Sequence, residues 1–320
     1  MLDGAEIKRK GIGAVVVAVD IANVDNIAAL KAASVKLACI GKRIFLIERK
    51  GRLSMVQAYA LGATDVLANP VNAGQLLRKL ATAEAAAALS AETSASSVEA
   101  ASAGAASIAS MFAAVMNGTA IDVGNIKAAG GMIAGSIAEN GLADWLSTVR
   151  RHHEGTFQHC LLVTGVAVDF ALSLGFKTPD VERLSSAAMF HDIGKATIPL
   201  AILDKPGKLD DNERLLIQSH PVAGYDLLKG NAAISPEILD GVRHHHELLD
   251  GSGYPDGLCA ESITDIVRVL TISDIFGALI EHRTYKPTMP REKAYGILQE
   301  MNGKLEKPLV EAFRAVALYR

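Results

Sequence analysis

"VERLSSAAMFHDIG", residues 181–194, reads as a helix that ends on two ionisable residues, with Gly194 placed to terminate it. Taken alone the His191–Asp192 pair carries little, since such dipeptides arise by chance. A buried imidazole or carboxylate is nevertheless costly unless it is paired or bound to a metal. The question is therefore what else meets the end of this helix.

Outward from that point the chain is helical almost throughout, and no strand alternation is found past residue 105. Pro179 and Pro236, each after Thr or Ser, read as first-turn prolines behind an N-cap. His159 sits early in FQHCLLVTGVAVDFALSLG, a long amphipathic helix. His220 precedes Pro221, which disfavours helical geometry at residue 220 and marks a break. His245 and His246 close the helix PEILDGVRHHHE. Asp274 lies in DIVRVLTISDIFGALIEH, among Ile272, Ile275 and Phe276. Each has a plain reading by itself: His159 as a core histidine, Asp274 as a surface acid. As a set they are harder to dismiss. Mixed His/Asp ligation without thiolate suits Fe, Mn or Zn held for hydrolysis.

Composition bounds the alternatives. The chain has 320 residues, enough for two domains, and half of it is apolar. Lys plus Arg number 32 against 35 acids, a formal charge of −3, which is no footprint of a nucleic-acid binder. Cys39, Cys160 and Cys259 lie far apart, so they make neither a disulfide framework nor a CxxC metal site, and a reducing cytoplasm is expected. The N-terminus shows no signal-peptide pattern. The Ala/Ser stretch at 101–116 reads as too polar for a membrane span.

At the N-terminal end the periodicity changes. GAVVVAV (13–19), RIFLI (43–47) and TDVLANP (64–70) read as strands. Helices are expected at about 25–40 and 53–61 and in AGQLLRKLATA. Such alternation argues for a parallel sheet with helices packed on it. "ALGATDVLANPVNAGQLLRKL" resembles the last strand and helix of a response-regulator receiver domain, and the likeness covers residues 12–82. Asp20 could match the phosphoacceptor. Yet the early strands that carry the Mg²⁺-binding acids are absent, and Asn69 stands where receivers keep a lysine. Residues 83–104 are Ala-rich, with strong helix propensity and little to bury, and read as a helical linker.

The motifs of the helical part resemble those of an HD-GYP domain, in that family's order: HDIGK at 191–195, HP at 220–221, HHE followed by DGSGYP at 245–255, D-x-F-x-A-L at 274–279 and R-x-Y-K at 283–286. The resemblance spans 140–320 and implies an all-helical domain, here given the bounds 105–320. It implies hydrolysis of cyclic di-GMP to linear pGpG, with a slower second cut to GMP. Another cyclic dinucleotide is the alternative substrate, and a silent binding or scaffold protein the alternative class. By resemblance His159, His191, Asp192, His220, His245, His246 and Asp274 are metal ligands, with Asp192 bridging two divalent ions, Fe or Mn before Zn or Mg. Two ions about 3.5–4 Å apart bind phosphate oxygens, activate water and stabilise an in-line transition state.

Lys195 is expected to compensate the scissile phosphate, and Asp192 and Lys195 form the catalytic pair. Gly253 and Tyr254 of the GSGYP loop, with Arg283 and Lys286, are expected to hold substrate. Glu247 is expected to orient a ligand imidazole; His244 receives no role. Some relatives bind a third metal through a glutamate four residues before the first ligand histidine. That position is Gly155 here, with Glu154 beside it, so two ions are expected. Expected partners are cyclic di-GMP, a protein contacting the N-terminal domain and a second copy of the chain. No nucleic acid and no membrane are expected.

Overall fold

The computed structural model describes residues 14–18, 20–21, 23–38, 40–47, 58–59, 61–68, 71, 76, 80, 94–152, 156–203, 205, 207–281 and 288–320. The chain divides into two compact units, one of Met1–Glu92 with Ser173–Phe176 and Tyr319, and one of Thr93–Leu172, Lys177–Leu318 and Arg320.

In the first unit β1 (Ala14–Ala18), β2 (Lys42–Ile47) and β3 (Asp65–Ala68) form a parallel three-stranded sheet in the order β1-β2-β3. Val16 pairs with Ile44, and Leu46 with Leu67. The helix α1 (Val24–Ala38) connects β1 to β2, and its Leu30 and Leu37 join Phe45, Ile47 and Val66 in a small core. Parallel strands require such crossovers, so a β-branched run followed by an apolar helix is the pattern expected of an α/β unit. Of the helix expected at 53–61 only 58–59, which are helical, and 61, a turn, are described, and most of AGQLLRKLATA lies outside the described residues, as does Asn69.

The second unit is helical. Its elements are α2 (Ala95–Asn117), α3 (Val123–Asn140), α4 (Leu142–His152), α5 (Thr156–Ser173), α6 (Thr178–Phe190), a 3₁₀ turn (Ile193–Thr197), α7 (Leu200–Leu203), α8 (Asp211–Gln218), α9 (His220–Leu228) and α10 (Pro236–His244). After a second 3₁₀ turn (Ala260–Ser262) come α11 (Asp265–Ile280), α12 (Arg291–Glu300) and α13 (Lys307–Tyr319).

The helix α2 starts where its sequence says it should. The Ser94 side chain caps it by accepting from Ser97 N at 3.2 Å, and Gly118, at φ 63°, ends it. This helix runs across residue 104, the end of the expected linker, and buries Ala100, Ala101, Gly104, Ile108 and Met111. A Cβ on Gly104 would stand 2.6 Å from a Leu161 methyl, so the small residue is what lets the helices approach. By length and composition alone α2 is long and apolar enough to cross a membrane. The stretch 101–116 is thus less polar than its serines suggested, and part of its apolar face is taken up by packing.

The centre of the unit is α5. It was expected to be amphipathic, but Leu161, Leu162, Val163, Val166, Ala167 and Phe170 are fully buried and Asp169 with them. A helix enclosed on every side needs no polar face. Trp145 from α4 packs on Gly165 and donates its indole N–H to the Leu161 carbonyl at 3.0 Å.

Helix ends differ from expectation by a residue or two, each for a local reason. Thr178 is not the cap of α6; Lys177 holds that position, without a side-chain cap. Ser235 does cap α10, ahead of Pro236. The break before Pro221 falls at Ser219, so His220 opens α9 rather than ending α8. Proline tolerates the first turn because no N–H is needed there. The helix α6 stops at Phe190, and Gly194, inside the 3₁₀ turn, has no positive φ. Gly194 serves a different purpose. A Cβ there would lie 1.9 Å from the His220 carbonyl oxygen, so only glycine lets the turn and the start of α9 touch backbone to backbone.

Candidate metal centre

That contact brings two helix ends together, and the seven expected ligands converge around it. Asp192 is fully buried at its centre. Its Oδ2 lies 3.3 Å from His191 Nε2 and 3.5 Å from His159 Nε2. Its Oδ1 lies 3.2 Å from His220 Nε2 and has no hydrogen-bond partner among the described residues. The two oxygens thus face two groups of imidazoles, His159 with His191 on one side and His220 with His245 and His246 on the other. Asp274 also spans both: Oδ1 is 3.1 Å from His159 Nε2, and Oδ2 is 3.5 Å from His246 Nδ1. Bridging was expected of Asp192; Asp274 shares that position between the groups.

The tautomers follow from where the histidines stand. An α-helix leaves its last carbonyls without internal partners. His191 and His245 follow the last turns of α6 and α10, and His220 follows that of α8. Their Nδ1 atoms lie 2.6 Å from the Ala188 carbonyl, 2.9 Å from Val242 and 2.7 Å from Ile217. A carbonyl only accepts, so each Nδ1 carries a proton, and the lone pair such a ring has when neutral lies on Nε2, turned inward. These Nε2 atoms converge: His220 Nε2 is 3.1 Å from His245 Nε2, and His191 Nε2 is 3.4 Å from Nε2 of His159. Two acceptors at such distances repel unless a cation or a proton lies between them. With the unsatisfied Asp192 oxygen, this donor set fits divalent ions.

The electrostatics agree. Burial drives His245 well below its ordinary value, and the neighbouring imidazoles add to the effect; burial lowers His246 to about 3. Both are neutral ligand bases at ordinary pH. For Asp192, burial favours the neutral acid, but His191 and Lys195 outweigh it and the carboxyl is held well below the usual range. Asp274 is likewise lowered against burial, by His159 and His246. His191 is raised despite burial, because Asp192 faces it. Lys195 Nζ stands 2.6 Å from Asp192 Oδ2, and this partner raises its pKa against the burial that would lower it. The 3₁₀ turn sets this pair at i, i+3, on one face.

The loop after the histidines is tied to them by contacts that sequence reasoning missed or assigned otherwise. Glu247 does not orient a ligand imidazole. Its buried carboxylate accepts the backbone N–H groups of Asp256 at 2.6 Å, Gly257 at 3.0 Å and Leu258 at 2.9 Å. His244, left without a role, links Asp240 at 2.6 Å to Asp256 at 2.9 Å. Arg243 holds the same Asp256 by two parallel bonds of 2.7 and 2.9 Å, and that hydrogen bonding lowers its carboxyl to about 2. The Asp240–His244 spacing of four residues was a legible signal for a shared helix face. A Cβ on Gly253 would lie 2.4 Å from Leu248 N, so the loop folds back on the segment carrying the ligands. Tyr254 is held there by its N–H to the His246 carbonyl at 3.2 Å, and its ring lies over His246, centroids 4.7 Å apart. Arg283, Lys286, Glu154 and Gly155 lie outside the described residues.

The chain is similar to known proteins. The chain is 34% identical over 215 residues to a cyclic di-GMP phosphodiesterase of Pseudomonas aeruginosa, covering 66% of this chain and 52% of that protein. It is 39% identical over 156 residues to the cyclic di-GMP phosphodiesterase response regulator RpfG of Xanthomonas campestris, covering 48% and 41%. It is 40% identical over 132 residues to a 3'3'-cGAMP-specific phosphodiesterase of Vibrio cholerae, covering 41% and 28%. The chain therefore spans about half or less of these relatives' length. Among solved structures, Bd1817, an HDG"Y"P protein from Bdellovibrio bacteriovorus, shares the fold with a TM-score of 0.56 at 20% identity, over 68% of this chain and 70% of that one. The family profile described as the HD domain matches residues 138–307, more than half of the chain and every described residue of the centre, and the chain belongs to the HD domain family.

Proposed function

We propose that the helical unit is a divalent-metal-dependent phosphodiesterase that hydrolyses cyclic di-GMP, first to linear pGpG and more slowly to GMP. The observation that carries the metal part is the convergence of imidazole Nε2 atoms on each other and on two shared carboxylates. The phosphodiesterase part is supported by relatives named for that activity.

His159, His191, Asp192, His220, His245, His246 and Asp274 would hold two ions, Fe or Mn by their mixed N/O character. Bound divalent ions supply Lewis acidity toward phosphate oxygens and lower the pKa of water. The chain's own groups do the rest. Lys195 offers an ammonium beside Asp192 to a phosphate oxygen. Tyr254, with its pKa raised by burial and by Asp274 and Asp192, keeps its hydroxyl protonated as a donor. Arg283 and Lys286 are assigned to substrate by resemblance. A second reading, another cyclic dinucleotide, has support in the cGAMP-specific relatives. Incubating the chain, loaded anaerobically with Mn²⁺ or Fe²⁺, with cyclic di-GMP and with 3'3'-cGAMP separates the two. Faster loss of cyclic di-GMP with linear pGpG as first product supports the first reading. Faster loss of 3'3'-cGAMP supports the second, and no turnover of either leaves a binding or scaffold role.

The N-terminal unit we assign as a truncated receiver-like domain that works by protein contact rather than by phosphorylation. Its three-stranded parallel sheet is compatible with the later part of a receiver. Incubation with a small phosphodonor should leave the intact mass unchanged; an Asp20-dependent phosphoryl gain would overturn this.

A further inference from the structure

Three of the four histidines that present Nε2 to the centre have a carbonyl for Nδ1, because each stands just past the end of a helix. His159 does not. It lies in the first turn of α5, and among the described residues its buried Nδ1 has no hydrogen-bond partner. A ligating imidazole needs an acceptor there to fix its tautomer and its ring orientation. Among the described residues a carboxylate faces the atom. Glu281 Oε2 is 3.8 Å from His159 Nδ1, and the Glu281 side chain is 7% exposed. Its charge also reaches the interior, since it adds to the rise of the buried Cys160 thiol, behind burial itself and the other charges of the centre. Glu281 is the C-cap of α11, seven residues after Asp274. At 3.6 residues per turn it emerges two turns on, on the same face.

We infer that Glu281 is a positioning residue of the metal centre: its carboxylate takes the Nδ1–H of His159 and keeps Nε2 aimed at the ion shared with His191, Asp192 and Asp274. The gap of 3.8 Å is longer than a hydrogen bond and too short to admit a bridging water, so a side-chain shift of about 1 Å closes it. The inference rests on the metal reading of the site. It adds to that reading a carboxylate–histidine–metal relay on the His159 side of the centre.

The test is Co²⁺ binding by the full chain, followed by the visible ligand-field bands and by competition with a chromophoric chelator. Glu281→Gln should weaken one of two binding steps by about 10- to 100-fold, leave the other unchanged and alter the bands of the weakened site. In a His159→Ala background the same substitution should change nothing further, because its target is gone. Equal affinities in wild type and Glu281→Gln would overturn the inference while leaving the metal reading intact. So would an effect that persists in full in the His159→Ala background. Loss of the cooperative melting transition in metal-free Glu281→Gln would make the residue structural and count equally against it. A wild-type chain that takes up no Co²⁺ would remove the metal reading, and the inference with it.

Discussion

The chemistry of single residues decides what this site can hold. Asp192 carries two opposed demands, toward Lys195 and His191 through Oδ2 and toward His220 through Oδ1. Lys195 pairs with the carboxylate, and its ammonium, with no lone pair to give, is no metal ligand. Lys195→Met should therefore retain both ions and lower turnover by about a hundredfold to a thousandfold, the scale of one lost transition-state donor. Loss of metal in that variant would show that the lysine organises the centre instead. The Tyr254 side chain meets His246 ring to ring, and the backbone bond to the His246 carbonyl survives truncation, so Tyr254→Ala should likewise keep its metals and raise KM. Metal analysis beside steady-state kinetics checks both. The histidines and the two carboxylates were legible in the sequence because motif order singles them out. Glu281 was not, because one acid after an apolar helix resembles any C-terminal surface residue. Its spacing of seven from Asp274 was the available signal.

At the level of elements, helix ends do the positioning. Of the seven ligands His191, Asp192, His220, His245 and His246 lie at or beside a terminus, where side chains find free carbonyls and the backbone can turn. Sequence reading put these residues near the ends but misjudged the boundaries, because it treated Pro221 and Gly194 as stops. Pro221 begins a helix, and Gly194 allows a close approach that only the tertiary contact reveals. The same limit hid the role of Glu247, whose three amide donors lie nine to eleven residues away along a loop. Glu247→Gln replaces one acceptor oxygen with a donor that meets an amide N–H. It should cost about 1–3 kcal/mol in denaturant unfolding, the range for a buried polar group left unpaired. An unchanged midpoint would mean that the loop is held by Arg243, His244 and Asp256 alone.

For the whole molecule, the division into a small parallel sheet and a helical unit was readable from the change of period near residue 100, strands before and helices after. The extent of the helical unit was less so. The alanines and glycine of α2 look featureless in sequence, yet they are the small residues that close helix packing requires. The metal account has a consequence at this scale. Ions that bind the folded unit alone stabilise it by mass action, about 2.7 kcal/mol at a hundred times Kd. For a unit of this size that is a rise in Tm on the order of 5–10 °C. A melting curve indifferent to Mn²⁺ and to chelator would contradict it.

The centre itself is tested most directly by elemental analysis of the purified, anaerobically loaded chain beside its Asp192→Ala variant. The account predicts two divalent ions per wild-type chain. It predicts fewer than one in the variant, where neither group of histidines keeps the carboxylate they share. A wild-type chain without metal, a chain with three ions, or an Asp192→Ala variant with its full complement would contradict it.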